Sequence, residues 1–275
     1  MDRLADLLAR LSPLSRRRVI YTCLFGYSEP FGDYPVIRDG RTDYICFTDD
    51  PELKSKRWQI RLLDSSKIGP VRTAKQIKIL AHRFLPNYRE SLYVDNRVKL
   101  KAPPSFIFQS LQQGSSDMMC FRHPERNCIY AEALEIIKVR YDDPDVVHKQ
   151  MAAYRDDGYP EDSGLILGTV LLRRHNTPES INLMEAWFSE VMKHSYRDQM
   201  SFNYAAYKQG FKPSYLPGSP YSNDIMEWVI PAVRVPRDFR DDEYLALHKD
   251  VRDNGINPRK HYLQYGHSEG RPYRL

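Results

Sequence analysis

Arg72-Thr-Ala-Lys-Gln-Ile-Lys-Ile-Leu-Ala-His-Arg-Phe-Leu-Pro86-Asn-Tyr-Arg-Glu-Ser-Leu-Tyr-Val-Asp95-Asn-Arg97-Val-Lys-Leu100 decides how this chain folds. Ile77, Leu80, Ala81 and Phe84 share one helical face, and Arg72, Lys75, Lys78 and His82 lie mostly on another. That spacing predicts a basic amphipathic helix over 71–84, closed by Pro86. A short apolar strand over 92–94 follows and stops at a carboxylate, Asp95, with Arg97 two residues on. An acid at the carboxyl end of a buried strand stands where open α/β sheets hold their ligands.

The flanking sequence repeats the strand form. The run 18–26 is continuously apolar and ends at Gly26, and 44–50 ends in Asp49 and Asp50. A third strand is expected over 58–63. Helices are expected at 105–112, 132–141, 144–158 and 178–194, with another from Arg197, and strands at 118–121 and 164–172. Five prolines between Pro213 and Pro236 mark an irregular wrapping segment. Tyr244, Leu245, Leu247, Val251, Tyr262 and Leu263 form a small apolar set of their own. The expected organisation is an amphipathic helix over 1–17, a main domain over 18–212, the Pro-rich segment over 213–238 and a small module over 239–275. The fold class is α/β: a doubly wound, mostly parallel sheet flanked by helices, with a small helical C-terminal appendage.

With 275 residues, 41% hydrophobic and 28% charged, the chain can bury one large α/β core. The net charge of +5 is dispersed, without the basic and aromatic clustering of a nucleic-acid binder. A small polyanionic ligand is the more economical partner. Cys23, Cys46, Cys120 and Cys128 show no C-x-x-C pairing, and Cys23 and Cys46, inside strand-like apolar runs, read as buried, reduced thiols of a cytoplasmic protein. No apolar run is long enough to span a bilayer, and no signal peptide opens the sequence. Leu4, Leu7, Leu8, Leu11 and Leu14 form a helical stripe followed by Arg16, Arg17 and Arg18. Its plain reading is packing on the domain or on a second subunit; peripheral contact with an anionic inner-membrane surface is the alternative. P-loop, G-x-G-x-x-G, G-x-S-x-G and H-E-x-x-H patterns are absent from the sequence, which argues against kinases, dinucleotide dehydrogenases, serine hydrolases and zincins.

The strand-end residues suit a sugar-nucleotide. Its diphosphate must be neutralised, its nucleoside held, and a polar group set near the anomeric carbon, where positive charge develops. Asp95, Asn96 and Arg97, with Arg72 and Lys75, could meet the diphosphate. Mn²⁺ or Mg²⁺ on Asp95 and direct binding by the cations both remain open. Thr22, Phe25, Gly26 and Asp49 could hold the base and ribose. His123 and Glu132, with Arg126 between them, follow the 118–121 strand and read as acceptor or phosphate contacts, or as catalytic groups. Asp198 and Gln199 open a helix. Asp198 reads either as a cap or as a base toward an acceptor hydroxyl, with Gln199 steadying the anomeric charge.

Lys78-Ile-Leu-Ala-His-Arg-Phe-Leu-Pro86, Tyr93-Val-Asp-Asn-Arg-Val-Lys-Leu100, Arg122-His-Pro-Glu-Arg126, Arg174-His175 and Tyr196-Arg-Asp-Gln-Met-Ser-Phe202 together carry a resemblance. Over roughly 19–208 the chain resembles the glycosyltransferase-like family named for plant turgor-regulation-defect and mucilage-related proteins, which also occurs in bacteria. The resemblance implies a GT-A-like fold and sugar transfer. Arg97 stands where wider GT-A enzymes carry the second acid of Asp-x-Asp, as it does in this family. His175 and Arg197 enter with the matching segments as further acceptor or phosphate contacts. The tail over 244–271 is similar to a short module of bacterial surface-polysaccharide glycosyltransferases, and its histidines read as structural. The expectation is therefore transfer from a nucleotide-sugar to an oligosaccharide or lipid-linked glycan in a capsule or related pathway. The alternatives are a non-catalytic nucleotide-sugar or glycan-binding protein and, more weakly, a lipid-amide hydrolase.

Overall fold

The computed structural model describes residues 18–26, 30–229, 235–236, 238–266 and 271–274. The leucine stripe over 1–17 lies outside the described residues. Two compact units divide the chain, Met1–Val229 and Ile230–Leu275.

In the first unit the strands are β1 (Arg18–Leu24), β2 (Thr42–Thr48), β3 (Gln59–Leu62), β4 (Glu90–Val94), β5 (Val98–Leu100), β6 (Met118–Arg122), β7 (Ile166–Arg173), β8 (Ser214–Tyr215) and β9 (Met226–Trp228). The helices are α1 (Pro70–Ile79), α2 (Ala81–Phe84), α3 (Pro104–Gln113), α4 (Ile129–Lys138), α5 (Pro144–Asp156), α6 (Pro178–Lys193) and α7 (Asp198–Lys208). Pro70, Pro104, Pro144 and Pro178 each open a helix, where a missing N–H costs nothing. Asp143 and Thr177 cap two of them by accepting the N–H of Asp145 and Ser180.

The main sheet has the order β3-β2-β1-β4-β7-β6-β8. β3, β2, β1 and β4 are mutually parallel, and β7 is antiparallel to both β4 and β6. This is the mostly parallel sheet expected. Alternation splits its core into two layers. Val19, Tyr21 and Cys23 face Ile77 and Leu80 of the α1 region, Leu183 and Trp187 of α6, and Phe202 of α7. Ile20, Leu24, Leu92 and Val94 face Ile107, Phe108 and Leu111 of α3. A third cluster joins α4, α5 and Met200. Cys23 and Cys46 are free and buried, as expected, and so are Cys120 and Cys128.

Three local departures matter. The helix expected over 71–84 is two helices broken at Leu80 (φ −88°, ψ 48°), because its last carbonyls bond to a buried arginine rather than to a further turn. The helix expected over 132–141 begins earlier, at Ile129. The proline-spaced segment is not irregular throughout: β8 joins the edge of the main sheet, and β9 pairs antiparallel with β5. Two- and three-residue strands are too short to show a period in sequence.

The second unit contains α8 (Asp241–Leu247), α9 (Lys249–Asp253), α10 (Pro258–His261) and a π-helical turn (Tyr262–Gly266). Phe239, Tyr244, Val251 and Tyr262 form its core. His261 pairs with the Tyr244 hydroxyl at 3.0 Å and His248 with the Pro272 carbonyl at 2.7 Å, so both histidines serve its packing.

Candidate active site

The parallel strands deliver their carboxyl ends to one edge. There the Asp95 N–H donates to the Thr169 carbonyl of β7 at 2.9 Å. The Tyr93 hydroxyl donates to Asp95 Oδ1 at 2.7 Å, which fixes the carboxylate over the strand that precedes it. Asn96 is committed to a neighbouring loop: Oδ1 accepts the Gly32 N–H at 2.7 Å and Nδ2 donates to the Pro30 carbonyl at 2.9 Å. A Cβ on Gly32 would fall 2.1 Å from the Asn96 carbonyl, so only glycine fits there. Asp49 is likewise a brace, accepting from the Gly26 N–H at 3.1 Å and the Ser65 hydroxyl at 2.7 Å. Gly26 holds φ +53°, and a Cβ would meet Pro70 at 2.5 Å. Gly26→Ala should therefore cost about 1–3 kcal/mol in thermal or denaturant unfolding; an unchanged midpoint would show that this turn relaxes freely.

The densest charge lies above β4. Lys75 and Lys78, one turn apart on α1, clamp the Asp198 carboxylate: Lys75 Nζ is 2.8 Å from Oδ1 and Lys78 Nζ 2.6 Å from Oδ2. The Lys78 and Asp198 side chains are 5% and 8% exposed, Lys75 20%. Lys78 Nζ also lies 5.2 Å from the centroid of the Tyr93 ring. A Cβ on Gly168 of β7 would come within 3.0 Å of that ammonium, so the glycine leaves room for it. Burial opposes the Asp198 charge, yet Lys75 and Lys78 outweigh it and hold the carboxyl well below the usual carboxylate range. Burial draws the Lys75 ammonium down, against the pull of Asp198 and Asp95. The Asp198 backbone is pinned too, its carbonyl accepting from Trp187 Nε1 at 2.8 Å and the Ser201 hydroxyl at 3.1 Å.

This corrects the sequence reading of Asp198. It is the first residue of α7 rather than its cap, which is Arg197, and a carboxylate held between two ammoniums is a poor base. Lys78 escaped the sequence reading as one more lysine on the polar face. The available signal was its spacing from Lys75, which sets both heads on one side of the helix.

A second cluster adjoins the first through Gln199. Gln199 Nε2 donates to Glu132 Oε1 at 3.0 Å, and Arg126 Nε to Glu132 Oε2 at 2.7 Å. His123 Nε2 stands 3.9 Å from the same Oε2. His123 Nδ1 accepts the Glu125 and Arg126 N–H groups at 3.2 and 3.0 Å, and Arg126 Nη2 lies 3.1 Å from His123 Nε2. Burial, against the pull of Glu132, lowers the His123 pKa. Gln199, read in the sequence with Asp198, thus joins the His123–Arg126–Glu132 cluster in one hydrogen-bonded group.

Others fall elsewhere. His175 is a correction: it follows the end of β7, which pairs with the start of β4, opposite Asp95. It is fully buried, bonds the Leu85 carbonyl at 3.0 Å, and burial takes its pKa down to about 4. Thr22 is also corrected, since strand alternation turns its side chain with Ile20 and Leu24 to the α3 layer, where it is buried. Phe25 packs in the layer beneath α1. Arg72 donates to the His194 carbonyl at 3.1 Å, Arg197 stacks on Tyr141 at 4.8 Å, and the Arg97 carbonyl accepts the Val229 N–H at 2.8 Å. No group of three His, Cys, Asp or Glu among the described residues converges as a metal site. Asp95 alone would hold Mn²⁺ or Mg²⁺, with the remaining ligands coming from phosphate oxygens and water.

The mostly parallel α/β sheet thus carries, toward its strand ends, the Asp95 carboxylate and the Lys75–Asp198–Lys78 clamp. The TOD1/MUCI70 glycosyltransferase-like domain model matches residues 53–215, more than half the chain, and the chain belongs to that family. The match contains Lys75, Lys78, Asp95, Glu132 and Asp198. An Arabidopsis thaliana protein described as probable hexosyltransferase MUCI70 is 32% identical over 143 residues, covering 48% of this chain and 24% of that protein. The chain thus spans about a quarter of that relative's length. Among solved structures, the apo bifunctional glycosyltransferase WbbM aligns with TM-score 0.44 and 11% identity, over 75% of this chain and 40% of that one.

Proposed function

We propose that this chain transfers a hexosyl group from a nucleotide-sugar donor to a glycan acceptor, in the building of a bacterial surface polysaccharide. The observation that carries the reading is the Lys75–Asp198–Lys78 clamp standing near Asp95 at the strand ends. In the reaction the acceptor hydroxyl oxygen bonds to the anomeric carbon as the bond from that carbon to the diphosphate oxygen breaks; the electron pair of the broken bond leaves with the diphosphate, and the hydroxyl proton passes to the departing diphosphate or to water. Ammonium groups fixed in a poorly solvated cleft favour that charge without reorganising. Asp198 serves as the counter-ion that holds both lysine side chains in place. Asp95 orients the donor, through a metal ion or directly, and Gln199, Glu132, His123 and Arg126 meet the acceptor. No described helix is long and apolar enough to cross a membrane.

With lysines carrying part of the neutralisation, chelation of divalent ions should slow donor turnover without abolishing it. Complete loss, restored by Mn²⁺ alone, would contradict that division of labour.

One observation favours a second reading, a nucleotide-sugar-binding protein without turnover. The Asp198 and Glu132 carboxylates are both already paired with cations, Lys75 and Lys78 on the first and Arg126 on the second. A panel of sugar nucleotides separates the two. Release of nucleoside diphosphate from at least one donor supports transfer, and saturable binding of a donor with no release supports the binding protein.

A further inference from the structure

We propose that Arg173 and Tyr21 form a buried positioning device that sets the Lys78 ammonium in the cleft. The inference rests on the donor-site reading of Lys78.

Arg173 lies on β7 and is fully buried. Among the described residues no carboxylate lies within ion-pair distance of it, which is an expensive way to fill a core position that an aliphatic side chain could occupy. Most of its hydrogen bonds go instead to the end of α1, with one more from Nη1 to Met184 Sδ at 3.0 Å. Nη1 donates to the Ile79 carbonyl at 3.0 Å, and Nη2 donates to the Lys78 carbonyl at 2.8 Å and to the Tyr21 hydroxyl. The Tyr21 hydroxyl in turn donates to the Lys78 carbonyl at 2.7 Å. A single carbonyl, that of Lys78, therefore takes two donors from two strands. A guanidinium matches the partial negative charge that gathers at a helix C-terminus. The helix ends one residue later, and the Lys78 side chain leaves the same residue toward Asp198 and Gly168.

Tyr21 ties this anchor to the acid side as well. Its ring packs edge-on against Tyr93 at 5.4 Å between centroids, and Tyr93 holds Asp95. Burial pushes the Tyr21 phenol far above its ordinary range, so the hydroxyl stays protonated and keeps its donor role. The backbone of Lys78 and the ring beside Asp95 thus share one support. Small displacements of such a support are felt at the reacting groups.

The test is a thermal-stability double-mutant cycle between Lys78→Met and Asp198→Asn, run in the wild-type and Tyr21→Phe backgrounds, with calorimetric binding of inorganic pyrophosphate beside it. Tyr21→Phe should remove at least half of the Lys78–Asp198 coupling and weaken pyrophosphate binding roughly fivefold. It should have no further effect on binding once Lys78 is Met. Arg173→Lys should retain more of the coupling than Arg173→Met. If Arg173→Met does not fold, Tyr21→Phe, which deletes one oxygen, carries the test. A lowered melting temperature with unchanged coupling and unchanged binding would reduce the pair to core packing and overturn the proposal. Reduced coupling alongside normal pyrophosphate binding in Lys78→Met supports the positioning device and removes the donor-site reading instead.

Discussion

Asp198→Asn should destabilise the protein by about 3–5 kcal/mol near neutral pH, because it strands two buried ammonium groups without their counter-charge. Loss of a helix cap would cost about 1 kcal/mol, so unfolding alone separates the two roles. The dependence on pH adds a second discriminator. The folded Asp198 pKa lies below its unfolded value of about 3.9, so its contribution is fully present above that pH. As the pH falls below about 4 the unfolded chain takes up the proton first, and the contribution shrinks toward the folded pKa. The stability gap between wild type and Asp198→Asn should therefore be constant from about pH 5 to 7 and narrow on acidification. A gap under about 1 kcal/mol that ignores pH would mean that the lysine clamp contributes nothing.

Asp95→Ala should abolish thermal protection by nucleoside diphosphate. A ligand at a hundred times its Kd stabilises by about 2.7 kcal/mol, or roughly 5–10 °C for a chain of this size. The side chain directly follows β4 and accepts a hydrogen bond from the Tyr93 hydroxyl, so its removal should leave the unliganded melting temperature within about 3 °C. An undiminished ligand shift in the variant would move the nucleotide away from this strand end.

Much of this arrangement was legible before any coordinates. β1, β2 and β4 appear in sequence as apolar runs because both faces of each are covered, and a run that stops at Asp95 marks a strand end. The grouping of His123, Arg126, Glu132 and Gln199 follows from strand and helix order, although the hydrogen bonds among them do not. His175 entered with the matching Arg174-His175 segment, and the strand pattern offered no check on it. The eight residues of β7 are nearly all buried, and such a run looks the same whether the strand is parallel or antiparallel to its neighbours. Reversing the strand carries the residues after it to the far edge. Lys78 was hidden because helical periodicity sorts residues into faces, and a lysine on the polar face reads as solvated until a carboxylate from α7, 120 residues further on, closes over it. The break at Leu80 was hidden in the same way, since the donors that end α1 come from β7 and β1. Contacts made at long separation leave no local period.

The central claim is that Lys75 and Lys78 neutralise the diphosphate as it leaves. Its most direct test is the rate of nucleoside diphosphate release from whichever sugar nucleotide the wild type consumes, compared with Lys78→Met checked for folding by its melting curve. The account predicts a loss of roughly 10²–10³ in turnover, the usual effect of removing one preorganised charge-stabilising donor. Wild-type turnover in folded Lys78→Met would contradict it.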